Sequence, residues 1–367
     1  MKAQRKKRRG SRPTLKDVAQ KLGVHVSTVS RALDARTRDR LAPALVGKIR
    51  RTATRLGYRP NPAARALKTR KSYTIGVVIP DIADPAFPPI IRGIEDGLAR
   101  NDYVAIVTST DGNSRRQERA LETMRARGVD GLILASVMRN DAMLGKLAAG
   151  IPVTTVIRQT DTKGFSSVLH DESDGIRLAL THLVSLGHRA IATIAGPQSL
   201  STGHSRHMAF NRNAKLLGVN AEPPLAAFAR AFNETEGERC TEELLVAGRP
   251  FTAIVCANDR LAIGAVAALR RHALRCPDDV SVTGFNDMPL ADRLSPALTT
   301  VRVQHFRAGV EAAEIVVDMI EQDGAREPRR LVLPVELIVR ESTRRVSRRQ
   351  GERKAELSSK SRKWEEA

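Results

Sequence analysis

The chain has 367 residues, 41% of them hydrophobic and 3% aromatic, with three cysteines and a formal net charge of +21. Such a length and apolar content give two or three domains with cores of their own and exclude a wholly disordered chain. Cys240, Cys256 and Cys276 lie too far apart for a zinc-type cluster and read as buried, reduced thiols, and no run approaches the roughly 18 apolar residues of a membrane span, so no metal, no cofactor and a soluble, cytoplasmic protein are expected.

The charge is concentrated at one end. Residues 1–72 carry 22 Lys and Arg against three Asp and Glu, residues 73–340 carry 30 against 32, and residues 341–367 carry nine against five. A segment that cationic calls for a polyanion, because each Lys or Arg that neutralises a phosphate releases a condensed counterion, and nucleic acid is the leading partner. An anionic membrane attracts the same charge, but the segment lacks the aromatic, Leu-rich face that interfacial helices bury.

Residues 1–12 form a basic tail without apolar periodicity and read as disordered. Thr14-Leu15-Lys16-Asp17 has the form of a capping box and opens a helix to about Leu22. Gly23 supplies the positive φ of a tight turn, and Val26–Leu33 follows as a second short helix with Val29 and Leu33 turned inward to meet Val18, Ala19 and Val24. A third helix spans about Pro43 to Leu56, with proline at its first position and Gly57 past its end.

Beyond a linker near residues 59–72, the β-branched runs Tyr73–Pro80, Val104–Thr108, Gly131–Ala135 and Val153–Ile157 alternate with helical patterns. The same rhythm returns at Ala190–Ala195, Ala253–Ala257 and Ser281–Phe285. Two parallel α/β lobes follow, with a cleft at the carboxyl ends of their strands, where open α/β sheets take ligands. Residues 344–367 form a second polar tail, read as disordered, whose lack of a Leu heptad argues against a coiled coil.

The stretch Thr14–Leu33 resembles the helix-turn-helix of the lactose and galactose repressor (LacI/GalR) family. Asp17-Val18-Ala19, Gly23-Val24 and Thr28-Val29-Ser30-Arg31 stand at that family's spacing, and the resemblance runs to about Thr343. It implies an all-α helix-turn-helix DNA-binding domain over 13–60 and a hinge helix over 61–72. These join an α/β two-lobed, periplasmic-binding-protein-like core of two doubly wound parallel sheets over 73–343. Lobe one would take about 73–169 and 302–328, and lobe two about 170–301 and 329–343. The function implied is a homodimeric transcriptional regulator, by default a repressor, on a near-palindromic double-stranded DNA operator. A small-molecule effector between the lobes, a sugar, sugar acid or related metabolite, would control it.

The DNA-binding residues so implied are Thr14, His25, Val26, Ser27, Thr28, Ser30, Arg31 and Tyr58, with Asn61, Ala64, Leu67 and Lys68 of the hinge. The second helix fits the major groove, where Ser27 and Arg31 reach base edges and Thr28 a phosphate. His25 replaces the family's usual Ser or Thr cap, and either touches the DNA backbone or only caps the helix. Ala42 replaces the hydroxyl cap before Pro43. Leu67 would wedge between bases of the minor groove, the alternative being a mobile linker.

The effector residues implied are Phe87, Ser136, Thr202, Arg206, Asn258 and Asn286. Phe87 either stacks on a ligand or fills the core, and Arg206 aligns with the family's effector-binding arginine. Asn258 and Asn286 end strands and so sit at the cleft, Asn258 also being placed to cap the helix at Leu261. With Arg206 they suit hydroxyls or a carboxylate. Asn286 replaces a more usual Asp, which removes a negative charge and with it a repulsion toward sugar acids. Two rival classes fare poorly. An enzyme is disfavoured because no phosphate loop, dinucleotide fingerprint or His-Glu-x-x-His site is present. A periplasmic-type solute-binding protein without DNA function would need an export signal and no basic helix-turn-helix.

Overall fold

The computed structural model describes residues 13–34, 37–59, 71–141, 144–219, 225–322 and 327–346. Two compact units divide the chain at residue 72. In the first, α1 (Leu15–Leu22), α2 (Val26–Leu33) and α3 (Pro43–Leu56) pack on one another. The capping box of α1 is closed: the Thr14 amide donates to Asp17 Oδ2 at 2.8 Å and the Asp17 amide to Thr14 Oγ1 at 3.4 Å. Gly23, at φ +65°, turns the chain into α2. Each helix sends one fully buried β-branched residue to the centre, Val18, Val29 and Ile49, ringed by Ala19, Ala32 and Ala53, whose small side chains let the helices approach. Leu33, expected inside, is only partly buried.

In the second unit the chain first builds β1 (Thr74–Ile79), α4 (Phe87–Ala99), β2 (Val104–Ser109), α5 (Ser114–Ala126), β3 (Gly131–Leu134), α6 (Leu144–Leu147), β4 (Val153–Val156) and β5 (Ser166–His170). It then crosses into α7 (Glu172–Ser185), β6 (Ile191–Ala195), α8 (Ser201–Leu216), β7 (Ala226–Phe228), α9 (Glu234–Val246), β8 (Ala253–Cys256), α10 (Asp259–Arg271), β9 (Ser281–Asn286) and β10 (Thr299–Arg302). It returns through α11 (His305–Glu321) and β11 (Arg330–Leu333) before ending in β12 (Glu336–Ile338). The first sheet has the order β11-β5-β4-β3-β1-β2 and the second β12-β10-β9-β8-β6-β7. Their pairings are parallel except that of β12 with β10.

Both faces of each sheet carry helices, which is why central strands such as β1 and β8 read as largely apolar runs. Along β1, Ile75, Val77 and Ile79 point to the core under α4 and α11, and Val78 points to the opposite core under α5. On β8, Ile254 and Cys256 take one face, Ala253 and Val255 the other. Each lobe also has one helix pair in near backbone contact. A Cβ on Gly93 of α4 would lie 2.0 Å from the Phe306 carbonyl oxygen of α11, and one on Gly264 of α10 would lie 2.0 Å from that of Glu234 in α9. Cys240 and Cys256 are buried and Cys276 partly so, all three as free thiols.

Two expected boundaries move. Residues 329–333, assigned from sequence to lobe two, run beside β5, because Arg330–Leu333 pairs with Ser167–His170, so the last crossing falls at 334–335. The second unit also continues past Thr343, since the Arg344 amide donates to Ser281 Oγ at 3.2 Å and that of Val346 to the Leu186 carbonyl at 3.0 Å. The three lobe crossings are tied together. The Asp171 amide donates to the Leu333 carbonyl at 3.0 Å, Gln304 Nε2 donates to the Pro334 carbonyl at 3.0 Å, and the His170 and His305 rings meet edge-to-face at 5.8 Å.

Candidate functional site

In the first unit the exposed side of α2 is the candidate surface. Val29 and Ala32 anchor the helix in the core, and the 3.6-residue period turns Ser27, Ser30 and Arg31 to the other side. Arg31 is exposed, and among the described residues its guanidinium has no hydrogen-bond or ion-pair partner. His25 caps α2, its Nδ1 accepting the Ser27 amide at 3.3 Å and standing 2.7 Å from Ser27 Oγ. Thr14 spends its hydroxyl on Asp17 Oδ2, at 2.8 Å. Val26 and Tyr58 lean on the three-helix core, and burial raises the pKa of the Tyr58 phenol. Thr28 is partly exposed on the first turn of α2. Asn61, Ala64, Leu67 and Lys68 lie outside the described residues.

In the second unit a cavity of about 750 Å³ opens between the lobes, with Asp84, Phe87, Ser136 and Arg158 on one wall and Phe232 and Arg260 on the other. Contacts bridge it. The Asp84 carboxylate lies 3.8 Å from Arg260 Nη1, the Arg139 amide donates to the Ser199 carbonyl at 2.9 Å, and the Gln159 amide to Ser201 Oγ at 3.0 Å. Deeper in, a chamber of about 40 Å³ is walled by Thr202, Arg206, Asn258 and Asn286 from the second lobe and by Arg158, His170 and His305. Asp84, Arg158 and Phe232 border both spaces.

Arg206 is buried and ion-paired. Its Nη2 donates to Glu172 Oε1 at 3.1 Å, its Nε to the other Glu172 oxygen, and its Nη1 to the Ala257 carbonyl, while the guanidinium lies 3.7 Å over the Phe285 ring. Asn258 Oδ1 accepts the Leu261 amide at 2.9 Å and caps α10, so it is the amide nitrogen that is left for a ligand. Asn286 ends β9 at φ +122°. Phe87 is 2% exposed and belongs to the core under the first sheet, touching the cavity only along its wall.

Burial governs the electrostatics. Desolvation drops the Arg158 guanidinium to about 10, opposed by the Asp84 charge, and raises Asp84, whose own brakes are the Ala86 amide, Arg260 and Arg158. It pushes His170 down to about 4 and His305 to about 3, with Arg206 adding repulsion to both, so these imidazoles are neutral at pH 7. Three buried polar atoms at the cleft, Ser136 Oγ, Thr202 Oγ1 and His170 Nε2, have no hydrogen-bond partner among the described residues. Groups of this kind are costly unless something satisfies them.

Two family descriptions match the chain: "Bacterial regulatory proteins, lacI family" over residues 14–61, and "Periplasmic binding protein-like domain" over residues 180–343. The HTH-type transcriptional repressor CytR of Escherichia coli (strain K12) is 30% identical over 339 residues, 92% of this chain and 98% of its own length. This chain belongs to the LacI family. The HTH-type transcriptional repressor PurR of Haemophilus influenzae (strain PittEE) is 29% identical over 336 residues, 91% of this chain and 99% of that one. Among solved structures, the Lac repressor dimer bound to operator and the anti-inducer ONPF superposes with a TM-score of 0.77 at 26% identity, over 91% of this chain and 100% of its own. The regulator CelR in complex with cellobiose does so with 0.69 at 30% identity, over 90% and 100%.

As a LacI-family member, the chain is a DNA-binding transcriptional regulator with an N-terminal helix-turn-helix and a two-sheet, mostly parallel α/β core. Of the six effector residues named from sequence, Thr202, Arg206, Asn258 and Asn286 gather at the inner chamber, while Phe87 and Ser136 line the outer cavity. Sequence reading missed Arg158, Glu172, His170, Phe232, Arg260 and His305. A local signal existed for two of them: Arg158 and His170 stand at the carboxyl ends of β4 and β5, where ligands of parallel sheets bind. The rest are joined to the site by contacts tens of residues long, such as Glu172 to Arg206.

Proposed function

We propose that the chain acts as a homodimer that represses transcription from a near-palindromic DNA operator, under the control of a small-molecule effector bound between the lobes. The effector belongs to the sugars, sugar acids and related metabolites. The observation that carries this reading is the union, in one LacI-family chain, of an exposed Arg31 on α2 whose guanidinium has no partner among the described residues and an interlobe cleft holding the buried polar atoms Ser136 Oγ, Thr202 Oγ1 and His170 Nε2, unsatisfied among those residues. One such helix makes few contacts, and two-fold pairing on a symmetric site doubles them.

Effector binding biases the closure of the two lobes, which the tied crossings at His170, Gln304 and Pro334 constrain to a hinge motion. Closure then sets operator affinity through the segment preceding the core. Ser27 and Arg31 read base edges, Ser30 and Thr28 meet the backbone, and Thr14 and His25 hold the helices that present them. In a relative, the Lac repressor dimer, operator and anti-inducer are bound together. The test is selection of bound duplexes from a random pool by the full chain. Enrichment of one inverted-repeat sequence is the expected result; recovery of unenriched DNA overturns the reading.

A further inference from the structure

We infer that the effector carries a carboxylate and that Arg158 is its receptor. The inference rests on the reading of the interlobe cleft as the effector site, and it names what enters the inner chamber. Three arginines border the cleft, Arg158 and Arg206 at the inner chamber and Arg260 at the outer cavity, and two have carboxylates of their own: Arg206 pairs with Glu172, and Arg260 donates to Glu234 at 2.8 and 2.7 Å. Arg158 has none. Among the described residues its guanidinium makes no hydrogen bond or ion pair, and the carboxylate that acts on it, Asp84, does so at longer range while shared with Arg260. A half-buried guanidinium lining the cleft without an ion-pair partner is placed to take one from a ligand, and its planar fork of donors matches a carboxylate in two parallel hydrogen bonds.

Apart from the Asp84 carboxylate, which Arg260 faces at 3.8 Å, the remaining polar lining agrees in chemistry. Thr202 Oγ1 is unsatisfied, Asn258 has only its amide nitrogen free, and the neutral imidazole of His305 borders the chamber, while His170 is already engaged by the Gln304 backbone. Together these groups form a donor-rich pocket asking for an acceptor-rich guest. Size separates the two common anions. About 40 Å³ is room for roughly three water-sized groups, a closer match to the three heavy atoms of a carboxylate than to the five of a phosphate. The body of the effector then lies in the cavity of about 750 Å³, where Phe232 and the Ser136 hydroxyl meet it. Asn286 fits this assignment, because a carboxylate side chain at that position would repel the guest.

Acetate probes the chamber without knowledge of the effector. The melting temperature of the full chain is measured at pH 7.5 in sodium acetate, chloride and phosphate of equal ionic strength. The wild type is expected to gain a saturable rise of about 3 °C in acetate over chloride at ten times the acetate dissociation constant. Arg158→Gln should lose that rise, and phosphate should shift both proteins alike. An equal acetate response in wild type and Arg158→Gln overturns the proposal, as does a saturable phosphate response confined to the wild type. Arg158→Lys, which retains the charge without the fork, should melt like the wild type in chloride and bind acetate about tenfold more weakly.

Calorimetry with matched pairs, glucuronate against glucose and galacturonate against galactose, separates this claim from the one beneath it. An acid that binds should lose about 100-fold in Arg158→Gln. A neutral sugar that binds both proteins equally, and shifts operator affinity, refutes the carboxylate while the regulator stands. An acetate response that depends on Arg158, with no metabolite altering operator affinity, leaves the receptor standing and removes effector control.

Discussion

Glu172→Gln strands the Arg206 cation, and the structure sets the scale of the damage. The Arg206 side chain is 6% exposed and that of Glu172 12%, so neither charge recovers solvation when its partner goes. Arg206 cannot shed its proton, and the Ala257 carbonyl and the Phe285 ring are its only other company among the described residues. Breaking a buried pair from one side costs about 3–5 kcal/mol, which for a unit of this size lowers the melting temperature by roughly 10 °C. Arg206→Met leaves Glu172 in the first turn of α7, where the helix N-terminus favours its charge, and protonation offers it an escape. The double variant should therefore cost less than the sum of the singles by about 2 kcal/mol or more. Urea titration followed by circular dichroism on all four proteins gives the cycle. A Glu172→Gln penalty under about 1 kcal/mol, or singles that simply add, refutes the account of the pair.

Three further outcomes are expected. Arg31→Ala should weaken operator binding by about 1–3 kcal/mol and relax the preference at one base pair of each half-site; gel-shift titration with an unchanged dissociation constant speaks against a base contact. Gly93→Ala places a Cβ where the Phe306 carbonyl oxygen now lies, so α4 and α11 must part, at a cost of about 3 kcal/mol read as a lower urea midpoint. Acid should destabilise the fold. His170 and His305, held down to about 4 and about 3, stay neutral when folded but take up protons near 6.5 when unfolded. Their contribution is whole above pH 6.5 and falls by about 2 kcal/mol each on reaching pH 5, with buried Asp259, held up to about 6, returning about 1 kcal/mol. A loss of about 3 kcal/mol from these three groups between pH 7 and 5 is the part to look for by denaturant titration, as the difference between the wild type and His170→Asn/His305→Asn.

Much of the fold was legible because its signals are local. The Thr14 capping box, Gly23, Pro43 and Gly57 place all three helices of the first unit at their observed bounds. Strands β1 to β4 announce themselves as β-branched runs because both faces of the sheet are covered. β5 does not: in Ser166-Ser167-Val168-Leu169-His170 the polar residues are buried, and the Ser166 hydroxyl is used to accept the Arg329 amide at 3.1 Å. That contact also explains the misplaced lobe boundary, since β11 joins the first sheet by pairing with a strand more than 160 residues away. In the site, Asn258 was readable because capping and strand end coincide within three residues. Arg158 was readable only as a residue just past the carboxyl end of β4; what singles it out, the lack of a side-chain partner among the described residues, is a fact of three dimensions.

Reciprocal linkage tests the central claim most directly. Operator affinity is measured by fluorescence anisotropy with and without a saturating metabolite that binds the cleft, and metabolite affinity by calorimetry with and without operator. Coupling through lobe closure predicts the same factor in both directions, within about 5–150-fold. A metabolite that fills the cleft yet leaves operator affinity unchanged contradicts the account.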